Sequence, residues 1–340
     1  MSYGTTFFDN SPSEAVRSKR GKTTENLHRL DRSTELYEQV LPYCRLSRGE
    51  IWEDSESGHR VGVLDATDFR EVQKIAEGKR TGIIINDPPY NVSVGRIKSR
   101  SLSKISLDAY LQFFRSWIEN ARAIMSDNSH LFIWIGADYK DNFQPLPDVM
   151  ILMRDFGELK PRNFITLRNQ RGYGTQKNWM WVRQELLHYC RGNPGFRVTY
   201  TDIPKVLSGY YKVIDGKMTE NLERSRSRTI RPGNVWIDIQ QVFYRMEENI
   251  PGCYAQKPLK AIERIISSCS DEGDLIFDFF SHSGTTLLAG ERLKRRVYTF
   301  DNDPVFAEIT IRRLEHYRRT GKTGFQWRSP FPELESTASE

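Results

Sequence analysis

The apolar positions of the chain follow two periods that alternate along the sequence. Continuous apolar runs, typical of strands buried on both faces, occupy 61–65, the residues leading into Asp87, and 130–136. Apolar residues at helical spacing occur around Phe69–Ala76 and from Tyr110 to Met125, and Ser106 is suited to cap the second of these helices. Strands that alternate with helices predict an α/β fold with a largely parallel sheet, covered by helices on both faces.

The alternation continues toward the C-terminus with one interruption. A helix is predicted from about Pro147 to Phe156, and strands at about 163–167 and 185–190. From about 196 to 251 the pattern breaks down. It resumes with a helix that has Pro258 at its first position, strand Leu275–Phe280, helix Leu287–Lys294, strand Val297–Phe300 and a final amphipathic helix around Ile311.

These patterns divide the chain into five parts. Residues 1–35 are polar and basic with little apolar periodicity, which predicts a mobile arm. Whether this arm contacts DNA, clasps a second subunit or has no role stays open. Residues 36–195 and 252–320 would form two halves of one domain, 196–251 an insertion between them, and 321–340 a tail.

Charge and composition narrow the class of protein. The 340 residues include 50 Lys and Arg against 44 Asp and Glu, a net charge of +6 that permits a polyanionic partner without proving one. No apolar run approaches the ~18 residues that span a bilayer, and the N-terminus lacks a signal-peptide core. We therefore expect a soluble, cytoplasmic protein without a membrane partner.

The cysteines are widely spaced. Cys44, Cys190, Cys253 and Cys269 form no Cys-x-x-Cys pair, and the six histidines add no metal-ligand spacing. Thiols stay reduced in a reducing cytoplasm. We therefore predict neither a bound metal nor a disulfide.

The strongest single motif is Asp87-Pro88-Pro89-Tyr90, where an apolar strand stops abruptly. Each proline restricts φ and removes an N–H donor, so the strand cannot continue and nearby carbonyls lose their ladder partners. A carboxylate, a rigid carbonyl corner and an aromatic ring therefore lie together at the carboxyl end of a strand. Ligands of open α/β sheets bind at that edge.

This trio suits the activation of an exocyclic amino group of a nucleobase. The nitrogen lone pair is delocalised into the ring, so the amine attacks poorly until acceptors hold its hydrogens. Asp87 and the Pro88 carbonyl could be those acceptors, and Tyr90 could stack on a base flipped out of a duplex. The alternative is a strand that ends in an Asx-Pro turn with a half-buried tyrosine.

A second motif lies near the C-terminus. Strand Leu275–Phe280 leads into the small polar loop Ser281–Thr286, which enters a helix and presents backbone N–H groups to the polar part of a ligand. The next strand ends at Asp301. An acidic residue at such a second strand end can accept hydrogen bonds from ribose hydroxyls.

Two segments are basic enough to contact phosphates. One is the polar stretch 91–106 beside Asp87, which carries Arg96 and Lys98 and reads as a substrate-contacting loop. The other is the middle region, where basic residues are interleaved with tyrosines and include Arg224, Arg226 and Arg228. A solvated insertion of mixed charge is the alternative for the middle region.

Taken together, the two motifs resemble the S-adenosylmethionine-dependent DNA amino-methyltransferases. The order, Asp-Pro-Pro-Tyr first and Asp278-Phe279-Phe280-x-x-x-Gly284-Thr285-Thr286 much later, is similar to the permuted β class, including RsrI-type adenine-N6 methyltransferases. The resemblance covers roughly residues 60–318. It implies a Rossmann-like, mostly parallel methyltransferase sheet with helices on both faces and an inserted target-recognition region.

The resemblance also implies roles for individual residues. Asp87, Pro88, Pro89 and Tyr90 would form the catalytic corner. Lys257 would approach the methionine carboxylate of the cofactor, Asp301 its ribose and Asp65 its adenine. The full set implied to bind the cofactor is Asp65, Asp87, Lys257, Asp278, Phe280, Ser281, His282, Ser283, Gly284, Thr285, Asp301 and Asn302.

One position departs from the family pattern. The family loop usually reads Phe-x-Gly-x-Gly, and His282 occupies the first glycine position. If the backbone there has a positive φ, histidine is less favourable than glycine, although it tolerates that region better than most residues.

The activity implied is methylation of adenine N6 at a specific sequence in double-stranded DNA. In this family, Asp rather than Ser at the first position of the corner favours adenine as the target base. Cytosine-N4 methylation, a catalytically decayed DNA-binding protein, and a methyltransferase acting on RNA or a protein glutamine remain alternatives. Dimers are common in the family, so a homodimer is a further expectation, and a cognate restriction endonuclease is a partner that the resemblance allows.

Overall fold

The computed structural model describes residues 34–90, 105–136, 144–173, 177, 179–205, 211–220, 227–243, 245–253, 255–326 and 328–336. Within these ranges the strands are β1 (Ile51–Glu53), β2 (Arg60–Val63), β3 (Thr81–Asn86), β4 (Met125–Ile135), β5 (Lys160–Tyr173), β6 (Trp181–Arg191), β7 (Tyr211–Ile214), β8 (Lys217–Glu220), β9 (Val235–Trp236), β10 (Leu275–Asp278) and β11 (Arg296–Asp301). The helices are α1 (Thr34–Val40), α2 (Phe69–Ala76), α3 (Leu107–Ile124), α4 (Pro145–Leu152), α5 (Leu259–Cys269), α6 (Thr285–Arg292), α7 (Pro304–Thr320) and α8 (Glu333–Ser336).

Nine of the described strands form one sheet in the order β1-β2-β11-β10-β3-β4-β6-β5-β9. The five central strands β2, β11, β10, β3 and β4 are parallel to one another. Strands β1 and β6 are antiparallel to their neighbours β2 and β4. The expected mostly parallel sheet is therefore confirmed. The two parts of the chain on either side of the middle region interleave in it, because β10 and β11 insert between β2 and β3.

Side chains of successive strand residues point to opposite faces, and each face has its own helices. One core contains Ile84, Leu131 and Phe277 with apolar residues of α2, α3 and α4. The other contains Ile83 and Ile85 with apolar residues of α5, α6 and α7. Both faces of the sheet are thus covered, as the alternation of strands and helices predicted.

Local sequence signals determine where several helices begin. The Ser106 hydroxyl accepts a hydrogen bond from the Ala109 N–H at 3.2 Å, so Ser106 caps α3 as predicted. Helix α2 spans the predicted residues Phe69–Ala76, and Asp68 caps it. Pro258 differs from the prediction: it is extended, with φ −64° and ψ 133°, and α5 begins one residue later, at Leu259.

The predicted alternation fails between β5 and β6. Both strands are longer than predicted, and they pair antiparallel to each other without an intervening helix. In the middle region β7 and β8 form a separate two-stranded hairpin. Its turn residues Asp215 and Gly216 have φ of 52° and 74°, as the tight turn requires.

The segment after α7 packs against the rest of the chain up to the end of the described residues. Phe331 is 1% exposed in a small core with Val40, Ile250 and Ile309. Most of the predicted N-terminal arm and the last four residues of the predicted tail lie outside the described residues. Among the helices that the structure describes, none has the length and apolar character needed to cross a membrane.

Candidate functional site

The carboxyl ends of β3 and β10 are tied together by a buried side chain. Asn86, the last residue of β3, is completely buried, and its Oδ1 accepts a hydrogen bond from the Phe279 N–H at 2.9 Å. Asp87 and Asp278 therefore lie at the ends of adjacent parallel strands. The two motifs, far apart in sequence, come together at the edge where α/β sheets bind ligands.

The Asp87 carboxylate is held by two donors. The Tyr90 hydroxyl donates to Oδ1 at 2.7 Å, and the Lys257 ammonium donates to Oδ2 at 2.6 Å. The Asp87 side chain is 22% exposed and that of Lys257 only 7%, so this ion pair is largely removed from water. Burial, followed by the charge of Asp87, raises the pKa of Tyr90 well above its usual value, so the phenol stays a donor.

Lys257 also contacts aromatic rings. Its Nζ lies 5.3 Å from the centre of the Tyr90 ring and 5.5 Å from that of Trp134, which is buried in β4. Cation–π contacts of this kind hold an ammonium group in place without neutralising it. The structure thus brings together Lys257 and the Asp-Pro-Pro-Tyr corner.

The proline corner is braced from the opposite face of the sheet. The hydroxyl of Tyr110, a buried residue of α3, donates to the Pro89 carbonyl at 2.9 Å. Burial raises the pKa of Tyr110, so this hydroxyl also stays protonated. Helix α3 therefore holds the backbone of the corner in position.

The polar loop after β10 is closed by backbone hydrogen bonds. The Ser281 N–H donates to the Phe300 carbonyl at 2.9 Å, and the Gly284 N–H donates to the Ser281 carbonyl at 2.7 Å. Arg313 of α7, which is completely buried, donates to the Ser283 carbonyl at 2.8 Å and the Thr285 hydroxyl at 2.9 Å. The loop is therefore preorganised before any ligand binds.

Two carboxyl groups flank this loop, that of the buried Asp278 and that of the partly buried Asp301. Asp278 accepts from the Phe280 N–H at 2.9 Å, and burial raises the pKa of Asp278 to about 7. Asp301 accepts from the His282 N–H at 3.0 Å and the Asp303 N–H at 3.1 Å. Burial, followed by the nearby Asp303, raises the pKa of Asp301 to about 7 as well. A ligand that donates hydrogen bonds would therefore stabilise the ionised form of both carboxyl groups.

Two further predicted residues lie beside Asp301. The Leu64 N–H donates to the Asp301 carbonyl at 2.9 Å, which places Asp65 next to the end of β11. The Asp65 carboxylate accepts from the Thr67 N–H at 2.8 Å and from its hydroxyl at 2.7 Å. Asn302 is exposed.

A cavity that opens to solvent joins the two motifs. Its walls come from the ends of β3, β4 and β10, from the polar loop and from α5. The residues are Ile85, Asp87, Trp134, Lys257, Ile262, Asp278, Phe280, Ser281, His282, Ser283, Thr285 and Thr286. The Ser281 hydroxyl is buried and has no hydrogen-bond partner among the described residues, so the cavity wall has a polar group to offer a ligand.

The backbone explains why the loop usually has glycines. His282 has φ 43° and Gly284 has φ 70°, so both positions are left-handed. A Cβ on Gly284 would lie 2.9 Å from the Thr310 Cα, closer than a real contact allows. His282 avoids such an overlap, and its ring packs 4.8 Å from that of Phe306.

We therefore expect Gly284→Ala to lower the free energy of unfolding by about 2 kcal/mol, through left-handed strain and overpacking. His282→Gly is the matched control. It relieves strain but loses the ring contact with Phe306, so its stability should stay within about 1 kcal/mol of the parent. Urea unfolding of both variants measures the difference, and equal stabilities would contradict this interpretation of the loop.

The predicted DNA-contacting residues are only partly described. Arg96, Lys98, Arg224 and Arg226 lie outside the described residues. Arg228 is exposed, and its carbonyl accepts from the Lys205 N–H at 3.0 Å.

Sequence reasoning missed four side chains of this site. Asn86 and Tyr110 brace the corner, Trp134 lies beside Lys257, and Arg313 holds the polar loop. Asn86 and Trp134 stand in runs that read as ordinary buried strands. Arg313 was detectable in the sequence as a charged residue close to the apolar stripe of the helix that became α7.

Comparison with known proteins agrees with this geometry. The chain matches the N6_N4_Mtase family, described as DNA methylase, over residues 81–312. M.HpaI, a type II methyltransferase of Haemophilus parainfluenzae, is 25% identical over 242 residues, which are 71% of this chain and 70% of M.HpaI.

Solved structures share the fold. The PvuII DNA methyltransferase, described as cytosine-N4-specific, has a TM-score of 0.52 at 15% identity over 74% of this chain and 84% of its own. The complex of M1.HpyAVI with SAM has a TM-score of 0.50 at 16% identity over 75% of this chain and 98% of its own. At such identities the likeness concerns the fold alone, and it confirms the expected Rossmann-like architecture.

Proposed function

The chain belongs to the N6_N4_Mtase family of DNA methylases, and we propose that it methylates the N6 amino group of an adenine flipped out of duplex DNA, within a short specific sequence. S-adenosylmethionine is the methyl donor of this family. The observation that carries the proposal is the Asp87 carboxylate at its proline corner, which lines the same cavity as Asp278. The reactive amine and the methyl donor can therefore meet there.

The residues in and beside the cavity fit the cofactor. Its ribose and amino groups are hydrogen-bond donors, and Asp278 in the cavity wall and the partly buried Asp301 are acceptors whose raised pKa values of about 7 would fall when such donors bind. Ser281 offers an unpartnered hydroxyl. We assign the methionine part to Asp278, Phe280 and Ser281–Thr285, the ribose to Asp301 and Asn302, and the adenine to the vicinity of Asp65.

Lys257 would have two partners in succession. In the structure its ammonium is paired with Asp87. The methionine carboxylate would compete for that ammonium, and the Asp87 oxygen released in this way could accept a hydrogen from the target amine. Binding of the cofactor would thus prepare the catalytic corner.

The chemistry needs positioning more than proton transfer. When bound, S-adenosylmethionine supplies an electrophilic methyl group on a sulfonium. Asp87 and the Pro88 carbonyl would hold the amino hydrogens so that the nitrogen lone pair points at that methyl, and Tyr90 would stack on the base. The cofactor would supply the methyl group with a neutral thioether as the leaving group, and the methylated amine would lose its extra proton to solvent.

The target base is tested directly. Genomic DNA from cells expressing the protein should contain N6-methyladenine, measured by mass spectrometry of digested nucleosides. The Asp87→Ala variant should leave the genome without this mark. If methyl groups were gained on cytosine N4 and not on adenine N6, the target base would be cytosine. The residues assigned to the cavity would stay the same. We also propose a type II restriction setting, a homodimer and a partner endonuclease.

The middle region is proposed to contact DNA phosphates. Replacing Arg224, Arg226 and Arg228 by glutamine should weaken DNA binding and reduce the slope of log K against log salt by up to about 3, since each phosphate contact contributes about 0.9. Binding titrations at several salt concentrations measure this slope. Glutamines at Arg319, Lys322 and Arg328, three exposed positions near the end of α7, are the matched control. Equal slopes in the two triple variants would assign the middle cluster to a solvated face.

A further inference from the structure

Four potential metal ligands meet on the sheet face that α5 covers. His130 lies on β4, His188 and Cys190 lie on β6, and Cys269 is the last residue of α5. His188 and Cys190 are two residues apart on one strand, so their side chains share a face. His130 pairs directly with Cys190 in the antiparallel ladder. Three distant segments thus deliver two imidazoles and two thiols to one place.

The ligand atoms converge. His130 Nδ1 lies 3.0 Å from His188 Nε2, and Cys190 Sγ lies 3.4 Å from each of these nitrogens. One ligand atom each from His130, His188 and Cys269 lies within 4.8 Å of the other two, and among the described residues no other group of this kind was found. His130, His188 and Cys190 are buried, and Cys269 is half-buried.

Hydrogen bonds alone account poorly for this cluster. His130 Nε2 lies 2.9 Å from the Gly195 carbonyl, so Nε2 carries the proton and Nδ1 presents a lone pair. That one lone pair faces both His188 Nε2 and the Cys190 sulfur. A neutral thiol has one weak donor for the two nitrogens it approaches. A single cation would satisfy every one of these atoms.

The side chains are also of the kinds that bind metals. The neutral imidazole of histidine is the commonest metal ligand in proteins. A coordinated metal ion removes thiol protons outright, so the cysteines would bind as thiolates.

We propose that His130, His188, Cys190 and Cys269 bind one structural Zn²⁺ ion. A tetrahedral zinc with Zn–N bonds near 2.05 Å and Zn–S bonds near 2.3 Å requires N···N of about 3.3 Å and N···S of about 3.6 Å. The distances between His130, His188 and Cys190 are within a few tenths of an ångström of those values. Cys269, whose ligand atom lies within 4.8 Å of those of the two histidines, would move closer to complete the set.

The surroundings support a His₂Cys₂ zinc site. The Gly195 carbonyl orients His130 as a second-sphere acceptor, the usual partner of a metal-bound imidazole. The Arg162 guanidinium donates to the Cys190 sulfur at 3.7 Å and to the Pro194 carbonyl at 3.1 Å. Two thiolates and one Zn²⁺ ion form a site of zero net charge. The guanidinium would therefore stabilise the negative sulfur without repulsion from a positively charged site. Soft sulfur and imidazole ligands favour zinc over magnesium or calcium.

The site lies away from the methylation chemistry. His130 lies in the middle of β4, in register with Ile83, whereas Asp87 follows the carboxyl end of the parallel neighbour β3. With four protein ligands, the zinc would have no open position for catalysis. It would instead hold the end of α5 on β4 and β6, just before the chain enters β10 and reaches Asp278. Its expected contribution is stability of the cofactor half of the fold.

Metal analysis of the full chain tests the proposal. The protein should be expressed without a metal-binding tag, purified without chelators and measured by inductively coupled plasma mass spectrometry. About one zinc per chain is expected. Cys190→Ser and Cys269→Ser should each lose most of it, whereas Cys44→Ser, a cysteine outside the cluster, should keep it. Zinc content that is equal in Cys269→Ser and Cys44→Ser would overturn the assignment.

A second measurement does not depend on the folding of variants. Protein produced in cobalt-supplemented minimal medium should show the visible d–d bands of tetrahedral Co²⁺ and a sulfur-to-cobalt charge-transfer band. Both features should be lost on prolonged chelation, together with a fall in the thermal midpoint. Substoichiometric zinc, below about a tenth per chain, with no cobalt spectrum would show that the cluster is a hydrogen-bonded core without metal.

Discussion

Replacing Asp87 with alanine should lower single-turnover DNA methylation by at least ~100-fold, the scale of losing a positioned transition-state acceptor. The methyl group of alanine cannot hold an amino hydrogen, so the target nitrogen stays conjugated with its ring. The variant also frees Lys257 from its ion pair. Because Lys257 is proposed to meet the methionine carboxylate, binding of S-adenosylhomocysteine should be retained or strengthened.

The Asp87→Asn variant is the matched control. Its amide oxygen can still accept one hydrogen from the target amine and can still meet the Tyr90 hydroxyl, but it carries no charge for Lys257. Its methylation rate should therefore lie between those of the parent and Asp87→Ala. Rapid-quench methylation with saturating cofactor and calorimetry with S-adenosylhomocysteine separate chemistry from binding. Near-normal turnover in Asp87→Ala would remove this carboxylate from the mechanism.

The parts of the fold that sequence predicts are those governed by neighbouring residues. Helix α2 has the predicted bounds, and Ser106 caps α3, because an apolar stripe and a capping hydroxyl are local signals. The corner at Asp87 was predictable for the same reason, since two prolines end a strand wherever it lies. The two motifs also meet as expected, because strand ends of a parallel sheet share one edge.

Long-range pairing is what the sequence did not reveal. The antiparallel pairing of β5 with β6 depends on contacts between residues that are distant in sequence. The lengths predicted for the two strands did not indicate this pairing. The ion pair of Lys257 with Asp87 joins residues 170 positions apart. The cluster around His130 draws on three segments, and the spacing of its cysteines and histidines along the chain did not indicate it. Local periodicity carries no information about such contacts.

The position of His282 illustrates a different limit. Its departure from glycine was visible in the sequence, but the cost depends on the backbone. The structure shows a positive φ at both loop positions, whereas only Gly284 has a neighbour that a Cβ would strike. The glycines of the family pattern therefore meet two requirements, a positive φ at both positions and the absence of a Cβ at the second. Only the first requirement applies at position 282, and His282 meets it.

Asp301→Ala should weaken binding of S-adenosylhomocysteine about 100-fold, which corresponds to about 3 kcal/mol for the loss of two hydrogen bonds from ribose hydroxyls to a charged group. The His282 and Asp303 N–H groups orient the Asp301 carboxylate. Calorimetry measures the affinity. Asp303 caps α7, so Asp303→Ala tests whether the loss comes from general damage to this strand end. No detectable binding by the parent protein at millimolar ligand would favour a decayed DNA-binding protein.

The same residue makes cofactor binding depend on pH. The pKa of Asp301 is raised to about 7 in the free protein, and ribose donors favour its ionised form, so binding lowers this pKa. Affinity should therefore fall as pH decreases below about 7, and at pH 7 binding should release about half a proton from this site. Calorimetry in buffers of different ionisation enthalpy measures that release. Asp301→Asn keeps one acceptor oxygen but cannot ionise, so it should bind with less proton release. If Asp301→Asn released as many protons as the parent, another group, with Asp278 the first candidate, would be responsible for the pH dependence.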